Sequence, residues 1–269
     1  MTINCKGKIL NLNSPIVMGI LNVTPDSFFD GGKYTTENTI LKRAEQILTE
    51  GAIIIDIGGY SSRPGAKHIS EKKELERVIS PIKSITENFP DAIISIDTFR
   101  SNVARKAIEA GASIVNDISA GEMDKNMFQT IRELQVPYIM MHMQGTPQNM
   151  QKNPEYKDIT KEIIQVFGKK LNQLIKLGIN DIIIDPGFGF GKTIEHNYEL
   201  LDNLDLFSIL ETPMLVGISR KSFIYKKLGK NPEDVLEETT KLHEICLKKG
   251  ASILRVHDVA EAKRLIINN

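Results

Sequence analysis

Long apolar runs are missing from this chain of 269 residues. None approaches the ~20 residues of a membrane-spanning helix, and the N-terminal MTINCKGKIL has no apolar signal-peptide core. The expectation is a cytoplasmic protein with no membrane partner. Cysteine is scarce too. Cys5 and Cys246 form no spaced motif, which argues against a disulfide framework and for two reduced thiols. His68, His196 and His243 lack zinc-ligand spacing. Neither sign of charge is in excess, with 34 Lys and Arg against 34 Asp and Glu, so no global field recruits nucleic acid. Linkers and low-complexity tracts are also absent, so residues 1–269 are expected to form a single domain.

What is present is a rhythm. Short apolar runs occupy 16–21, 52–57, 92–96, 113–115, 138–141, 181–184, 214–218 and 252–256. Segments of helical period separate them, at 36–50, 71–88, 100–110, 124–135, 161–177, 195–210, 232–249 and 259–267, with a short extra helix at 222–228. Gly51, Gly111 and Gly178 stand where helices would end, and 71–88 stops at Phe89-Pro90. Strand and helix alternating over this length predict parallel strands with crossover connections. Eight repeats favour closure into an α/β, (β/α)8 barrel over an open sheet. Residues 2–12 read as a hairpin turning at Lys6-Gly7 and plugging the opposite end.

At or just past the ends of those runs stand Asn22, Asp56, Asp97, Asn116, His142, Asp185, Ser219, Lys221 and His257. In such a barrel all strand C-termini meet at one rim, where the chemistry is carried. The first rim loop holds Phe28 and Phe29 among polar residues, a costly exposure unless they cover something. Arg255 and His257 share one strand face, with Val256 on the other. Single residues keep plainer readings open: Asp97 as a helix cap, Asn116-Asp117 as a turn, His257 as a structural histidine. The run GFGFGKT resembles a phosphate-binding loop, but the spacing requires glycine where Pro186 stands. It reads instead as a loop that lets Phe190 enter a substrate pocket.

Eight segments carry a more specific signal: MGILNVTPDSFFDGG from Met18, IIIDIGGYSSRPGA from Ile53, ISIDTFR from Ile94, IVNDISAG from Ile114, MHMQGTPQNMQ from Met141, IIDPGFGFGK from Ile183, VGISRKSFI from Val216 and ILRVHDV from Ile253. Together they closely resemble the dihydropteroate synthase family of pterin-binding barrels, in order and across all eight strand ends. The resemblance implies an enzyme in which p-aminobenzoate displaces pyrophosphate from 6-hydroxymethyl-7,8-dihydropterin pyrophosphate. It implies a dissociative route, consistent with the lack of any recognisable covalent-nucleophile arrangement. A pterin-binding methyltransferase would lack the joint NVTPDSF, SSRPG and SRKS loops.

The resemblance also assigns roles. Asp185, Asp97 and Asn116 would contact the pterin, Asp185 as a bidentate carboxylate acceptor. Lys221 would touch the pterin and face the second pocket. Arg255 and His257 would hold the diphosphate, with Arg255 stacking on the ring. Asn22 would ligate Mg2+, an ion content with few protein ligands. Phe28, Asp30, Ser62, Arg63, Pro64, Phe190 and Ser222 would surround p-aminobenzoate, with sulfonamides as competitors. The helix opening near Ser222 is a further expected seat for its carboxylate. Ser62 replaces a common threonine, and Tyr60 stands where a polar residue is usual. A homodimer is implied, although Glu237-Glu238 departs from the usual small-residue pattern of the late helix.

Overall fold

The computed structural model describes residues 1–24, 37–62 and 67–268. It opens on an antiparallel hairpin, β1 (Thr2–Cys5) and β2 (Lys8–Asn11), with Cys5 opposite Lys8. The turn residues Lys6 and Gly7 have φ of 52° and 90°. Paired positive φ values suit a two-residue turn that follows strand twist.

Eight parallel strands follow: β3 (Ile16–Asn22), β4 (Ile54–Gly58), β5 (Ile93–Asp97), β6 (Ile114–Asp117), β7 (Tyr138–Met141), β8 (Ile182–Asp185), β9 (Leu215–Val216) and β10 (Ile253–Val256). Their order is β8-β7-β6-β5-β4-β3-β10-β9. A parallel bridge between Ile184 and Met214, with the Ile184 amide donating to the Pro213 carbonyl at 3.0 Å, brings β8 beside β9. The sheet is thereby a nearly closed (β/α)8 barrel. The helices are α1 (Glu37–Thr49), α2 (Glu71–Asn88), α3 (Ser101–Ala110), α4 (Met127–Leu134), α5 (Ile159–Lys176), α6 (Ile194–Asp202), α7 (Ser222–Leu228), α8 (Leu236–Lys248) and α9 (Val259–Asn268).

Two expected helices are each broken. The helix expected over 195–210 stops at Asp202 and continues as a 3-10 segment, Leu204–Leu210. Leu204 and Phe207, three residues apart, are both buried, which matches the three-residue turn of a 3-10 helix. Lys249 pins the junction by donating to the Asp202 carbonyl and the Asp205 carboxylate. Likewise 232–249 begins as a 3-10 turn, Pro232–Asp234, before α8.

Alternation along the strands decides where each side chain goes. Val17, Leu21, Ile55, Ile57, Ile94 and Ile96 face outward and pack with the helices in the main core. Met18, Ile54, Ile93, Ile114, Ile183 and Ile253 face inward at the N-terminal end, against Ile3, Cys5 and Leu10 of the hairpin. Two residues further along those inward rows come Asp56, Ser95, Asn116, Asp185 and Arg255. The barrel interior thus changes from apolar to polar within one repeat of the pleat.

Candidate active site

Arg255 is the hub of the polar end. Its Nε donates to Asp56 Oδ2 at 2.6 Å and its Nη2 to Asp97 Oδ2 at 2.8 Å. Burial works against the guanidinium's charge, but Asp56 and Asp97 outweigh it and hold the proton more firmly than usual. Asn116 adds its Nδ2 to the same Asp56 oxygen at 3.1 Å. A desolvated cation needs such partners. The pairing comes from register: β4 and β5 place Gly58 beside Asp97, and β5 and β6 place Asp97 beside Asn116. Asp97 is therefore not the cap of α3. Arg100 stands at that helix's start without a side-chain cap bond. Asp117 does make the turn, accepting from the Ser119 and Gly121 amides.

The carboxylates are unequal. Burial and the nearby Asp56 charge push Asp97 up to about 7, against the pull of Arg255. Burial also raises Asp185, while Lys221 and the Gly187 amide, which donates to Oδ1 at 2.8 Å, oppose the shift. Lys221 is lowered by burial to about 8, with Asp185 opposing. Its ammonium lies 4.6 Å from the Phe190 ring centroid and donates to the Phe188 carbonyl. Two buried acceptors, Asp56 Oδ1 and Asn116 Oδ1, have no hydrogen-bond partner among the described residues. Buried polar atoms are rarely left so, and here both belong to one cluster at the mouth.

Asn22 ends β3, and its Oδ1 would lie 3.4 Å from a Cβ built on Gly58, with Asp97 Oδ2 at 3.7 Å from the same point. Absence of a side chain at Gly58 leaves a gap between an amide oxygen and a carboxylate. Gly217 leaves another: the nearest atoms a Cβ there would meet are those of Arg255, no closer than 3.7 Å, so the protein's own packing does not demand glycine. His257 is turned to Ser219, with Nδ1 and Oγ 3.2 Å apart, and its carbonyl accepts from Arg43 at 3.0 Å. The Arg255 guanidinium, two residues earlier, is turned to Asp56 and Asp97. Ser222 opens α7, Ser62 is half-buried, and Phe190 is half-buried beside Lys221. Phe28, Asp30, Arg63 and Pro64 lie outside the described residues.

Asp56 was visible in the sequence only as a strand-end residue, without a role. The available signal was a carboxylate inside an all-isoleucine run, which must find a cation once buried. Lys192 was missed altogether. It is 3 % exposed and donates to the Gly187 and Phe190 carbonyls. An open groove of about 700 Å³ lies elsewhere, on the outer wall between α5 and the 3-10 segment, lined by Lys161, Ile164, Glu199, Leu206 and Ile209. No strand-end residue reaches it, so the chemistry belongs to the mouth.

Comparison with known proteins identifies the family. The pterin binding enzyme family model matches residues 18–257. Dihydropteroate synthase of Haemophilus influenzae is 41% identical over 268 residues, 99% of this chain and 97% of its own length. The crystal structure of Yersinia pestis dihydropteroate synthase with a sulfonamide drug superposes with a TM-score of 0.94 at 39% identity, covering 100% of this chain and 98% of that one. Dihydropteroate synthase from Xanthomonas albilineans in complex with 7,8-dihydropteroate gives 0.90 at 35% identity, covering 100% and 97%.

Proposed function

This chain belongs to the pterin-binding enzyme family, and from its dihydropteroate synthase activity we propose how the residues at the mouth divide the work. The reaction joins p-aminobenzoate to the methylene carbon of 6-hydroxymethyl-7,8-dihydropterin pyrophosphate with loss of pyrophosphate, a step of folate biosynthesis. Asp185 accepts the ring N–H and amino group of the pterin as a bidentate pair. Asp97 and Asn116 take the remaining polar edge, and the Asn116 carbonyl oxygen, without a donor among the described residues, is the observation that best supports a ligand there. Gly217 leaves room for the flat ring to lie against Arg255.

Departure of pyrophosphate develops negative charge on oxygen and positive charge on the pterin methylene. Arg255 and His257 meet the first from neighbouring positions on β10 and its exit. The second is tolerated because electron density flows from the dihydropterin ring, near the carboxylates of Asp56, Asp97 and Asp185. Such preorganised charges act without reorganising at the moment of bond breaking. Lys221 borders both substrates, and Phe190, Ser62 and Ser222 form walls for p-aminobenzoate, with Phe28, Asp30, Arg63 and Pro64 completing them. Sulfonamides compete for that pocket.

Mg2+ fits the donor set. The chain offers an amide oxygen at Asn22 beside the gap at Gly58, and no cluster of three or more His, Cys, Asp or Glu suited to a metal exists among the described residues. An ion that keeps water and phosphate oxygens as most of its ligands suits such a site; when bound, it neutralises diphosphate charge. We place the enzyme in the cytoplasm as a homodimer. No described helix is long and apolar enough to cross a membrane.

The decisive variant is Asp185→Asn. It keeps the shape but removes the charged acceptor, so pterin affinity should fall by ~1.5–3 kcal/mol in a folded protein. Titration calorimetry showing wild-type affinity would overturn the pterin assignment.

A further inference from the structure

The loop that follows β8 is held in an unusual way. Its carbonyls from Gly187 to Lys192 each accept from a side chain: Gly187 and Phe190 from Lys192, Phe188 from Lys221, Gly189 from Gln151, Gly191 from Tyr156 and Lys192 from Asn197. Glycine at 187, 189 and 191 raises the entropy cost of one conformation, which these bonds offset together with the Phe190 amide on the Gly187 carbonyl and the Gly189 amide on Asn197 Oδ1. Two of those glycines allow close stacking on the loop after β7. A Cβ on Gly187 would stand 1.9 Å from the His142 carbonyl oxygen, and one on Gly191 2.5 Å from that of Gln144.

Lys192 is the only one of these donors that returns to its own loop twice. Its ammonium lies 2.9 Å from the Gly187 oxygen, 3.1 Å from the Phe190 oxygen and 3.1 Å from His142 Nδ1. The His142 carbonyl is a fourth, longer acceptor at 3.4 Å, so the three ammonium protons are shared among four acceptors, two of them on the neighbouring loop. Lys192 is in no ion pair among the described residues, and burial lowers it to about 7 while Asp185 opposes the shift. A buried lysine without a paired carboxylate is expensive to keep. Packing alone would be served as well by methionine or leucine, so the charge is retained for its hydrogen bonds.

We propose that Lys192 is a positioning residue for p-aminobenzoate: by clamping the Gly187 and Phe190 carbonyls to the loop after β7, it sets the Phe190 ring against Lys221 and so shapes the second substrate's pocket. The proposal rests on the reading of Phe190 as a wall of that pocket. Asp185 is placed by β8 and forms no ion pair with Lys192 among the described residues, so pterin recognition should survive loss of the clamp.

The test is two-substrate kinetics with calorimetry on Lys192→Met, Phe190→Ala and the double variant. Lys192→Met should raise KM for p-aminobenzoate about tenfold, as for loss of a hydrogen bond from a charged donor, while Kd for the pterin stays within about twofold. Phe190→Ala should raise the same KM, and adding Lys192→Met to it should change little more, because the clamp acts through that ring. A folded Lys192→Met enzyme with wild-type KM, or additive effects in the double variant, would overturn the proposal. If Phe190→Ala itself leaves KM unchanged, the wall assignment fails and the proposal with it. Should Lys192→Met not fold, Tyr156→Phe, which removes the donor to Gly191, is read instead: a severalfold rise in the same KM supports the clamp, and none overturns it.

Discussion

The same strands build both ends of the barrel, yet the two ends contain opposite chemistry. At the N-terminal end the inward rows are Met18, Ile54, Ile93, Ile114, Ile183 and Ile253, sealed by Ile3 and Leu10 of the hairpin. One pleat further on, the rows present Asp56, Asn116, Asp185 and Arg255. The lower layer is stabilised by removing apolar surface from water, roughly 25 cal/mol per Å². The upper layer gains little from burial, because each charge must recover its lost hydration from another. A barrel can carry a desolvated charge cluster because the packed layer beneath supplies the stability.

Removing the hub should break this contrast most severely. Arg255→Ala leaves Asp56 and Asp97 facing each other without a cation. Removing one partner of a buried pair costs about 3–5 kcal/mol, and partial exposure of Arg255 puts the expected loss near the lower figure. Turnover should fall by ~10²–10³ or more, as for loss of a group aimed at developing charge. Chemical denaturation and a pyrophosphate-release assay measure the two effects. Wild-type stability would mean that the carboxylates are not held as a unit.

The lower layer should respond in the opposite sense. Ile3→Ala, which removes a side chain 3 % exposed from the hairpin plug, should cost ~2–4 kcal/mol with saturating turnover per folded enzyme unchanged. A matching drop in turnover would show that the two ends are coupled.

A subtler difference lies in pH. The folded value of Asp97 is about 7 against 3.8 for the free side chain. A raised carboxylic acid stabilises the fold fully below the lower value and loses that contribution as pH rises through the upper one. Asp97→Asn should therefore flatten part of the decline in stability between about pH 4 and 7, seen by denaturation across that range. An unchanged slope would assign the effect to Asp117, Asp185 or Glu74, which burial also raises.

Gly217→Ala should have the smallest effect on the protein itself. The added methyl meets its nearest neighbour, Arg255, at ordinary contact distance, so stability should shift by less than ~1 kcal/mol. Pterin affinity should nevertheless weaken severalfold, by calorimetry. Unaltered affinity would show that no ring lies against that backbone.

Local pattern was enough for the scaffold. The hairpin turn at Lys6-Gly7, the strand of 138–141 and the helices of 71–88 and 222–228 were legible because φ preference, apolar period and proline act over a few residues. Helix breaks at Asn203 and Val235 were not, since burial of Leu204 and Phe207 and the hold of Lys249 depend on neighbours distant in sequence.

By itself, then, the sequence determined that polar residues stand at the ends of apolar strands and that these strands alternate with helices. It could name Asp97, Asn116, Asp185, Lys221, Arg255 and His257, each from its place at a strand end and from the motifs around it. Only the tertiary structure decided their partners. Arg255 reaches Asp56 across 199 residues and Asp97 across 158, separations that no local pattern encodes and that barrel closure reduces to hydrogen-bond length. Desolvation was decided there as well: Lys192 reads as one more surface lysine until two loops close over it and carbonyl oxygens replace its water.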